Sequence, residues 1–287
     1  MDLWCAHGND AAVALAEHTG GSLEGFAELM NNKALELGLT STHFVTPHGL
    51  DNDNHFTTAY DLVTLTDYAL TNEIFSKIVN TKTYTIILNG YPKTISNTNE
   101  LLGNLDGVYG VKTGFTNGAN RCLVTSCKRG DLDIICVVLG CDTKKDRTRD
   151  SIKLINYTFN NFSVVNVKDI ITAEFEKWHS EHFSSFTINK GISQSFELIL
   201  DENDIPYSLV AIKNTDKDKI YTSIEFQSYF EAPVRFNTTI GNLTLTVDNT
   251  EYFKVDILNS NDIRKKTLID YFLNIIFNYS SYLEYII

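Results

Sequence analysis

The residues Lys112, Thr113 and Gly114 follow an apolar, β-prone run that begins at Val108. A lysine ammonium is a compact positive charge that can face a carboxylate, and a threonine hydroxyl can donate a hydrogen bond to the same group. Gly114 has no side chain, so a second backbone can lie close against the strand. This order suits gripping the carboxylate end of an extended peptide. The triplet also fits an exposed strand end that runs into a turn, so the neighbouring segments are needed to distinguish the two interpretations.

The composition of the chain argues against several kinds of partner. Its 287 residues are 43% hydrophobic, which is enough for one large core or two smaller ones. The net charge of -12 argues against a nucleic-acid partner, because phosphate contacts need a clustered basic surface. The five cysteines have no metal-ligand spacing, and we expect buried thiols. The irregular spacing of His43, His48 and His55 does not favour zinc, so we expect neither a metal nor a cofactor.

The elements around the triplet follow from capping signals and hydrophobic periodicity. Helices are expected over 10–19, after a Ser22 cap, after a Thr57 or Thr58 cap, and through Ile155 and Phe159. The Asn89-Gly90 pair predicts a hairpin turn, and two more strands are expected over 121–127 and 133–139. This pattern predicts an α+β fold with antiparallel strands.

The character of the sequence changes near Phe162. Short alternating runs over 164–258 predict a small all-β domain. After Arg264 the chain is rich in aromatic and aliphatic residues but too polar for a comfortable transmembrane span. We therefore expect an amphipathic helix in the membrane interface, the alternative being a helix packed on the protein. The predicted segments are 1–162, 163–260 and 261–287.

Several segments, in the same order along the chain, resemble the D-alanyl-D-alanine carboxypeptidases, which are low-molecular-weight penicillin-binding serine peptidases. The resemblance covers roughly residues 5–160, and Ala232-Pro233-Val234 resembles the family's accessory β-domain more loosely. The segments that carry it are 8–17, 30–50, 55–62, 97–99, 110–116 and Arg147. It implies a partial penicillin-binding-protein or β-lactamase-like transpeptidase domain, an antiparallel sheet with helices, then the small all-β domain and the C-terminal amphipathic helix.

The resemblance also implies a function and roles for particular residues. It implies a serine-type hydrolase of peptidoglycan metabolism that removes the terminal D-alanine of pentapeptides through an acyl-enzyme and that reacts with β-lactams. On this sequence, Lys112 would hold the terminal carboxylate with help from Thr113. The backbone at Gly114 would align the substrate as an added strand. Asn9 would act in catalysis by hydrogen-bonding the substrate amide.

The sequence departs from the family pattern at the nucleophile. No Ser-x-x-Lys occurs in the chain, and His7 stands where the family's Ser-x-Asn element has serine. The family places its nucleophile and its signal peptide upstream of these residues. We therefore expect an N-terminally truncated form, lacking the signal peptide, of an extracytoplasmic, membrane-associated peptidase. Two alternatives stay open: an inactive homologue that keeps only the carboxylate grip, and a non-catalytic envelope protein.

Overall fold

The computed structural model describes residues 8–88, 90–182 and 184–284. The position of His7, and the Asn89 half of the predicted hairpin turn, lie outside the described residues. The chain divides into two compact units, Met1–Asn161 and Phe162–Ile287. Each unit has its own hydrophobic core, so each is described by itself.

The first unit places helices before and after a sheet that carries the Lys112 triplet. Its elements are α1 (Asn9–Gly20), α2 (Leu23–Glu36), α3 (Ala59–Leu70), α4 (Glu73–Val79), β1 (Thr83–Leu88), β2 (Tyr91–Ser96), β3 (Val108–Thr116), β4 (Asn120–Arg129), β5 (Leu132–Cys141) and α5 (Lys144–Asn161). Strands β1 and β2 form an antiparallel hairpin, and β3, β4 and β5 form an antiparallel sheet in that order.

The helix boundaries follow the capping residues that the sequence indicated. The Ser22 hydroxyl accepts from the Gly25 amide at 3.0 Å, and the Thr58 hydroxyl accepts from the Asp61 amide at 3.1 Å. Each bond satisfies an amide that has no partner inside its helix. Gly21 ends α1 in the left-handed region, at a φ of 74°. The predicted starts of α2 and α3 are therefore confirmed.

The core of the first unit lies under the sheet, where α5 packs against β4 and β5. Its buried members come from β3, β4, β5, α5 and the loop before β3: Leu101, Leu102, Val108, Leu123, Cys127, Cys136, Val138 and Ile155. Cys127 and Cys136 are buried thiols, as predicted, whereas Cys122 and Cys141 are only partly buried; burial raises the pKa of Cys136 to about 11. This core fixes the inner face of β3 and so sets where the Lys112 triplet lies.

The second unit combines strands with one long helix after its first strand. Its elements are β6 (Phe162–Asn166), α6 (Val167–His182), β7 (Thr187–Asn189), β8 (Leu198–Leu200), β9 (Leu209–Lys213), β10 (Ile220–Phe226), β11 (Tyr229–Glu231), β12 (Thr239–Val247), β13 (Thr250–Asn259) and α7 (Leu268–Glu284). Its main sheet has the strand order β10-β12-β13-β8, and two smaller pairs are β11 with β7 and β6 with β9.

Helix α6 corrects the prediction that strands begin at residue 164 and continue through the domain. Val167, Ile171, Phe175 and Trp178 are buried, and their spacing is that of one helix face. They pack into the core of the second unit with the inward side chains of β12 and β13. The prediction of alternating strands missed this helical spacing because polar residues separate the apolar positions. Trp178 is therefore a core residue of the second unit.

Helix α7 begins where a short network of hydrogen bonds fixes its first turn. Asp270 accepts two hydrogen bonds from the Arg264 guanidinium, at 2.6 and 2.9 Å, and one from the Thr267 amide at 2.7 Å. Large apolar side chains along the helix are exposed, including Leu268 and Phe272. Among the described residues, no helix combines the length and the apolar character that crossing a bilayer requires.

Candidate substrate-binding site

Lys112 lies in the middle of β3, opposite Val124 of β4. Its side chain is largely enclosed by the protein, and its Nζ donates to the Thr113 carbonyl at 2.6 Å. Burial, and then the positive charge of Arg147, lower the pKa of Lys112 to about 8. The ammonium is therefore still mostly charged at pH 7, next to a second cation.

Thr113 is tied to the loop that connects β2 to β3. Its buried hydroxyl lies 2.6 Å from the Thr98 hydroxyl. The next residue of that loop, Asn99, is also buried and donates from its side-chain amide to the Gly110 carbonyl at 2.9 Å. The same Asn99 side chain accepts from the Leu101 amide at 3.1 Å. These contacts hold the loop against β3 at the triplet.

Gly114 pairs with Cys122 on β4. A Cβ atom added to Gly114 would lie 3.5 Å from the Cys122 Cβ, which is an ordinary contact. Packing against β4 therefore does not require glycine here. Within the described residues β3 is an end strand of its sheet, and a glycine leaves room beside such a strand.

Arg147 of α5 is a buried cation that the site prediction did not include. It is 3% exposed, and its Nη2 donates to Glu100 Oε2 at 3.0 Å. Its Nε is buried and has no hydrogen-bond partner among the described residues. An unsatisfied charged donor is costly to bury, so this nitrogen is suited to an added acceptor. Arg147 is among the residues that resemble the family, and this resemblance was the sequence signal that could have identified it as a site residue.

Glu100 joins the loop to α5. Burial raises the pKa of its carboxyl, but hydrogen bonds from Thr148 and Lys144 and the charge of Arg147 outweigh burial and hold the pKa below its usual value. Lys144 Nζ lies 3.0 Å from Glu100 Oε2, and the Thr148 hydroxyl donates to Oε1. Glu100 is therefore ionised at neutral pH and shared by three donors.

Asn9 is the first residue of α1, and it is exposed. Helix α1 packs against α2. The structure therefore places Lys112, Thr113 and Gly114 together on β3 and places Asn9 on a different element. A groove shared by Asn9 and Lys112 stays a prediction.

The loop between α2 and α3 reaches the far end of β3. Asp51 accepts from the Gly118 amide at 3.1 Å, and a hydrogen bond from Thr116 is the main reason that the pKa of Asp51 is lowered. In the same loop, the His55 Nδ1 accepts from the Val45 amide at 3.1 Å. Burial, and then the charges of neighbouring histidines, lower the pKa of His55. No group of three metal-ligating side chains occurs in the ranges that the structure describes.

Two family models match this chain. Residues 3–143 match the model described as D-alanyl-D-alanine carboxypeptidase, and residues 179–265 match the penicillin-binding protein 5, C-terminal domain. The first match contains the Lys112 triplet, Thr98 and Glu100, and the second contains the main sheet of the second unit. The chain belongs to the D-alanyl-D-alanine carboxypeptidase family.

Curated relatives and solved structures agree with this assignment. The chain is 32% identical to D-alanyl-D-alanine carboxypeptidase DacF of Bacillus subtilis (strain 168), over 93% of the chain and 66% of DacF. It is 36% identical to DacD of Escherichia coli (strain K12), over 83% of the chain and 58% of DacD. The chain thus spans about three fifths of the length of these relatives.

Penicillin binding protein 5 of Haemophilus influenzae superposes on the chain with a TM-score of 0.67 at 27% identity, over 92% of this chain and 73% of that one. The Streptomyces K15 DD-transpeptidase superposes with a TM-score of 0.53 at 35% identity, over 55% of this chain and 65% of that one. The predicted α+β fold, with its penicillin-binding-protein resemblance and C-terminal β domain, is confirmed.

Proposed function

We propose that this chain grips the D-alanyl-D-alanine end of peptidoglycan stem peptides, as the substrate-binding part of a serine-type carboxypeptidase. One observation carries the proposal: Lys112 and Arg147 are enclosed cations close enough for the charge of one to lower the pKa of the other. Two neighbouring buried cations repel each other, and an anion placed between them relieves that repulsion. A peptide carboxylate supplies such an anion.

The rest of the peptide has a place beside β3. An extended peptide adds to an end strand through backbone hydrogen bonds, and Gly114 keeps that side of the strand clear. In this arrangement Lys112 and Arg147 face the terminal carboxylate, and the Thr113 hydroxyl donates to it. Asn9 hydrogen-bonds the substrate amide from α1. The substrate lies outside the cytoplasmic membrane, so the proposed function places the chain in the cell envelope.

Hydrolysis requires a nucleophile as well as this grip. In the reaction that the family resemblance implies, a serine attacks the peptide carbonyl between the two D-alanines, D-alanine leaves, and water then releases the acyl group. The family's Ser-x-x-Lys element does not occur in these 287 residues. The proposal for these residues is therefore recognition of the substrate, and covalent turnover is a separate question that a labelled β-lactam answers.

Peptide binding tests the proposal directly. The 287-residue chain is titrated with diacetyl-Lys-D-Ala-D-Ala by calorimetry, alongside Lys112→Ala and the matched control Lys93→Ala, an exposed strand lysine. Loss of a charged hydrogen bond predicts about tenfold weaker binding or more in Lys112→Ala and no change in the control. Unchanged affinity in Lys112→Ala would refute the grip. Covalent labelling by a fluorescent penicillin would show that the chain also carries a nucleophile.

We also propose that α7 contacts the membrane surface. The exposed apolar side chains of α7, such as Phe272, follow the basic residues Lys265 and Lys266. This combination suits the surface of an anionic bilayer. Co-sedimentation with phosphatidylglycerol vesicles should fall in Phe272→Asp and stay unchanged in Phe236→Asp, which alters an exposed phenylalanine outside α7. Equal sedimentation of both variants would contradict a role for α7.

A further inference from the structure

The 97–100 segment contacts the candidate site from two sides. At one end, Thr98 and Asn99 hold β3 through the Thr113 hydroxyl and the Gly110 carbonyl. At the other end, Glu100 receives hydrogen bonds from α5. Consecutive residues of one short loop therefore connect the strand that carries Lys112 with the helix that carries Arg147.

We propose that Glu100 is a positioning residue for the substrate carboxylate: it holds the Arg147 guanidinium beside Lys112, so that both cations face the same anion. The inference rests on the proposed function. Glu100 itself does not touch the substrate in this arrangement. It acts through Arg147, and its Lys144 and Thr148 contacts keep its own carboxylate in place.

The charges explain why such a residue is needed. Arg147 is repelled by Lys112, and among the described residues the hydrogen bond of its guanidinium is to Glu100. A buried cation without a partner rearranges or draws in water. A carboxylate on the far side of Arg147 opposes the repulsion and leaves Nε, which has no protein partner among the described residues, available for an added acceptor. Glu100 therefore supplies both the charge and the orientation.

Sequence distance explains why this pair was not found from the sequence. Glu100 and Arg147 are 47 positions apart, and only the packing of the loop and α5 brings them to 3.0 Å. Glu100 immediately follows the 97–99 segment that carries the family resemblance, yet it was not itself among the residues that resembled the family. The contact is thus a feature of the folded chain rather than of a local motif.

The experiment compares a peptide acid with its amide. Diacetyl-Lys-D-Ala-D-Ala and its C-terminal carboxamide are titrated into the full chain, Glu100→Ala, Glu100→Gln, Lys112→Ala and the control Glu36→Gln. Glu36 is an exposed glutamate paired with Lys33. The measured quantity is the ratio of acid affinity to amide affinity, which a general loss of structure does not change.

Positioning predicts a specific pattern. Glu100→Ala lowers the acid-to-amide ratio about tenfold and leaves amide affinity unchanged, because it removes the charged hydrogen bond that orients Arg147. Glu100→Gln gives an intermediate ratio, because its carbonyl oxygen still accepts from Arg147 but its negative charge is lost. A wild-type ratio in Glu100→Ala, or an equal loss of acid and amide binding, overturns the positioning role. A wild-type ratio in Lys112→Ala instead overturns the proposed function, and the positioning role with it.

A second measurement needs no peptide. The Lys112 pKa is followed by NMR of its side chain in the wild-type chain and in Glu100→Ala. Because Arg147 lowers the pKa of Lys112, release of Arg147 should raise that pKa in the variant. An unchanged or lower Lys112 pKa in a folded Glu100→Ala chain shows that Arg147 does not depend on Glu100 and overturns the inference.

Discussion

Binding of the peptide carboxylate should weaken as the pH rises through 8. Burial and the nearby Arg147 charge lower the pKa of Lys112 to about 8, and only the protonated amine carries the charge that attracts a carboxylate. The sign follows from linkage: a ligand that prefers the protonated form binds best below the pKa of the free protein and loses affinity above it. Arginine side chains in general keep their charge over this range, so the change is assigned to Lys112.

The size of the effect follows from the Lys112 pKa. With a pKa of about 8, roughly ten in eleven Lys112 side chains are charged at pH 7 and roughly one in eleven at pH 9. If the neutral amine does not hold the carboxylate, the association constant falls about tenfold over this range, equivalent to about 1.4 kcal/mol. A bound carboxylate raises the Lys112 pKa in the complex, so the decline begins near pH 8 and continues above it.

The assay is calorimetric titration of diacetyl-Lys-D-Ala-D-Ala from pH 6 to pH 9.5. The acetyl groups remove the amines of the peptide, and its carboxylate is ionised throughout, so the titration reports on the protein. Lys112→Arg is the matched control, because arginine keeps its charge over the whole range. Its affinity should be lower than wild type, because the guanidinium has a different shape, but independent of pH.

Two results would refute this reasoning. A flat wild-type profile would mean that Lys112 titrates outside the range or does not contact the carboxylate. A decline of equal size in Lys112→Arg would assign the pH dependence to another group. Either result would remove the reason for placing the carboxylate at the middle of β3.

Two further predictions concern the elements that hold the site. His55 accepts through Nδ1 only when neutral, and burial lowers its pKa, so the free energy of unfolding should fall as the pH drops below about 6.5. His55→Asn, whose side-chain oxygen can accept in the same place, should reduce that dependence in urea unfolding at pH 7.5 and 5. Asn99→Ala leaves the Gly110 carbonyl and Leu101 amide without their partner and should lower stability by about 2–3 kcal/mol.

Exposed residues of the same types provide the controls for both predictions. His18 is exposed on α1, so His18→Asn is the surface control for the same urea measurements. Asn104 is exposed in the loop before β3, and its side chain bonds a single carbonyl, so Asn104→Ala should cost well under the Asn99 value. Wild-type pH dependence in His55→Asn would contradict the His55 prediction. Equal losses of unfolding free energy in Asn99→Ala and Asn104→Ala would contradict the Asn99 prediction.

The parts of the fold that the sequence predicted are those that local chemistry determines. Ser22 and Thr58 cap helices with their own side chains. The residues of β3 are β-prone, so the strand was predicted from its own sequence. Helix α6 was missed because its apolar face, from Val167 to Trp178, becomes distinct only when it packs on the second core. Local sequence patterns predict most helices and strands. Where polar residues interrupt an apolar pattern, only burial in the folded chain distinguishes helical spacing from strand spacing.

The site residues also divide into those that the sequence predicted and those that only the fold brings together. Lys112 and Thr113 were predicted because one strand supplies both, at consecutive positions. Arg147 and Glu100 come from different elements, so their contribution depends on how a loop and α5 pack. No signal within a short window of sequence contains that contact. A charge pair of this kind can be inferred only from the fold or from a family motif that already includes one partner.

The net charge of the chain makes this local arrangement necessary. A protein with a net charge of -12 repels an anionic peptide at long range, so overall charge cannot provide the attraction. Surface cations would be screened by salt over about 8 Å at physiological ionic strength, whereas enclosed charges are screened much less. Arg147 is buried, and its charge lowers the pKa of Lys112, which is half-buried. Recognition of a carboxylate by this acidic chain therefore depends on a few fixed, enclosed donors, and on Glu100 and the other residues of the loop between β2 and β3 that hold them.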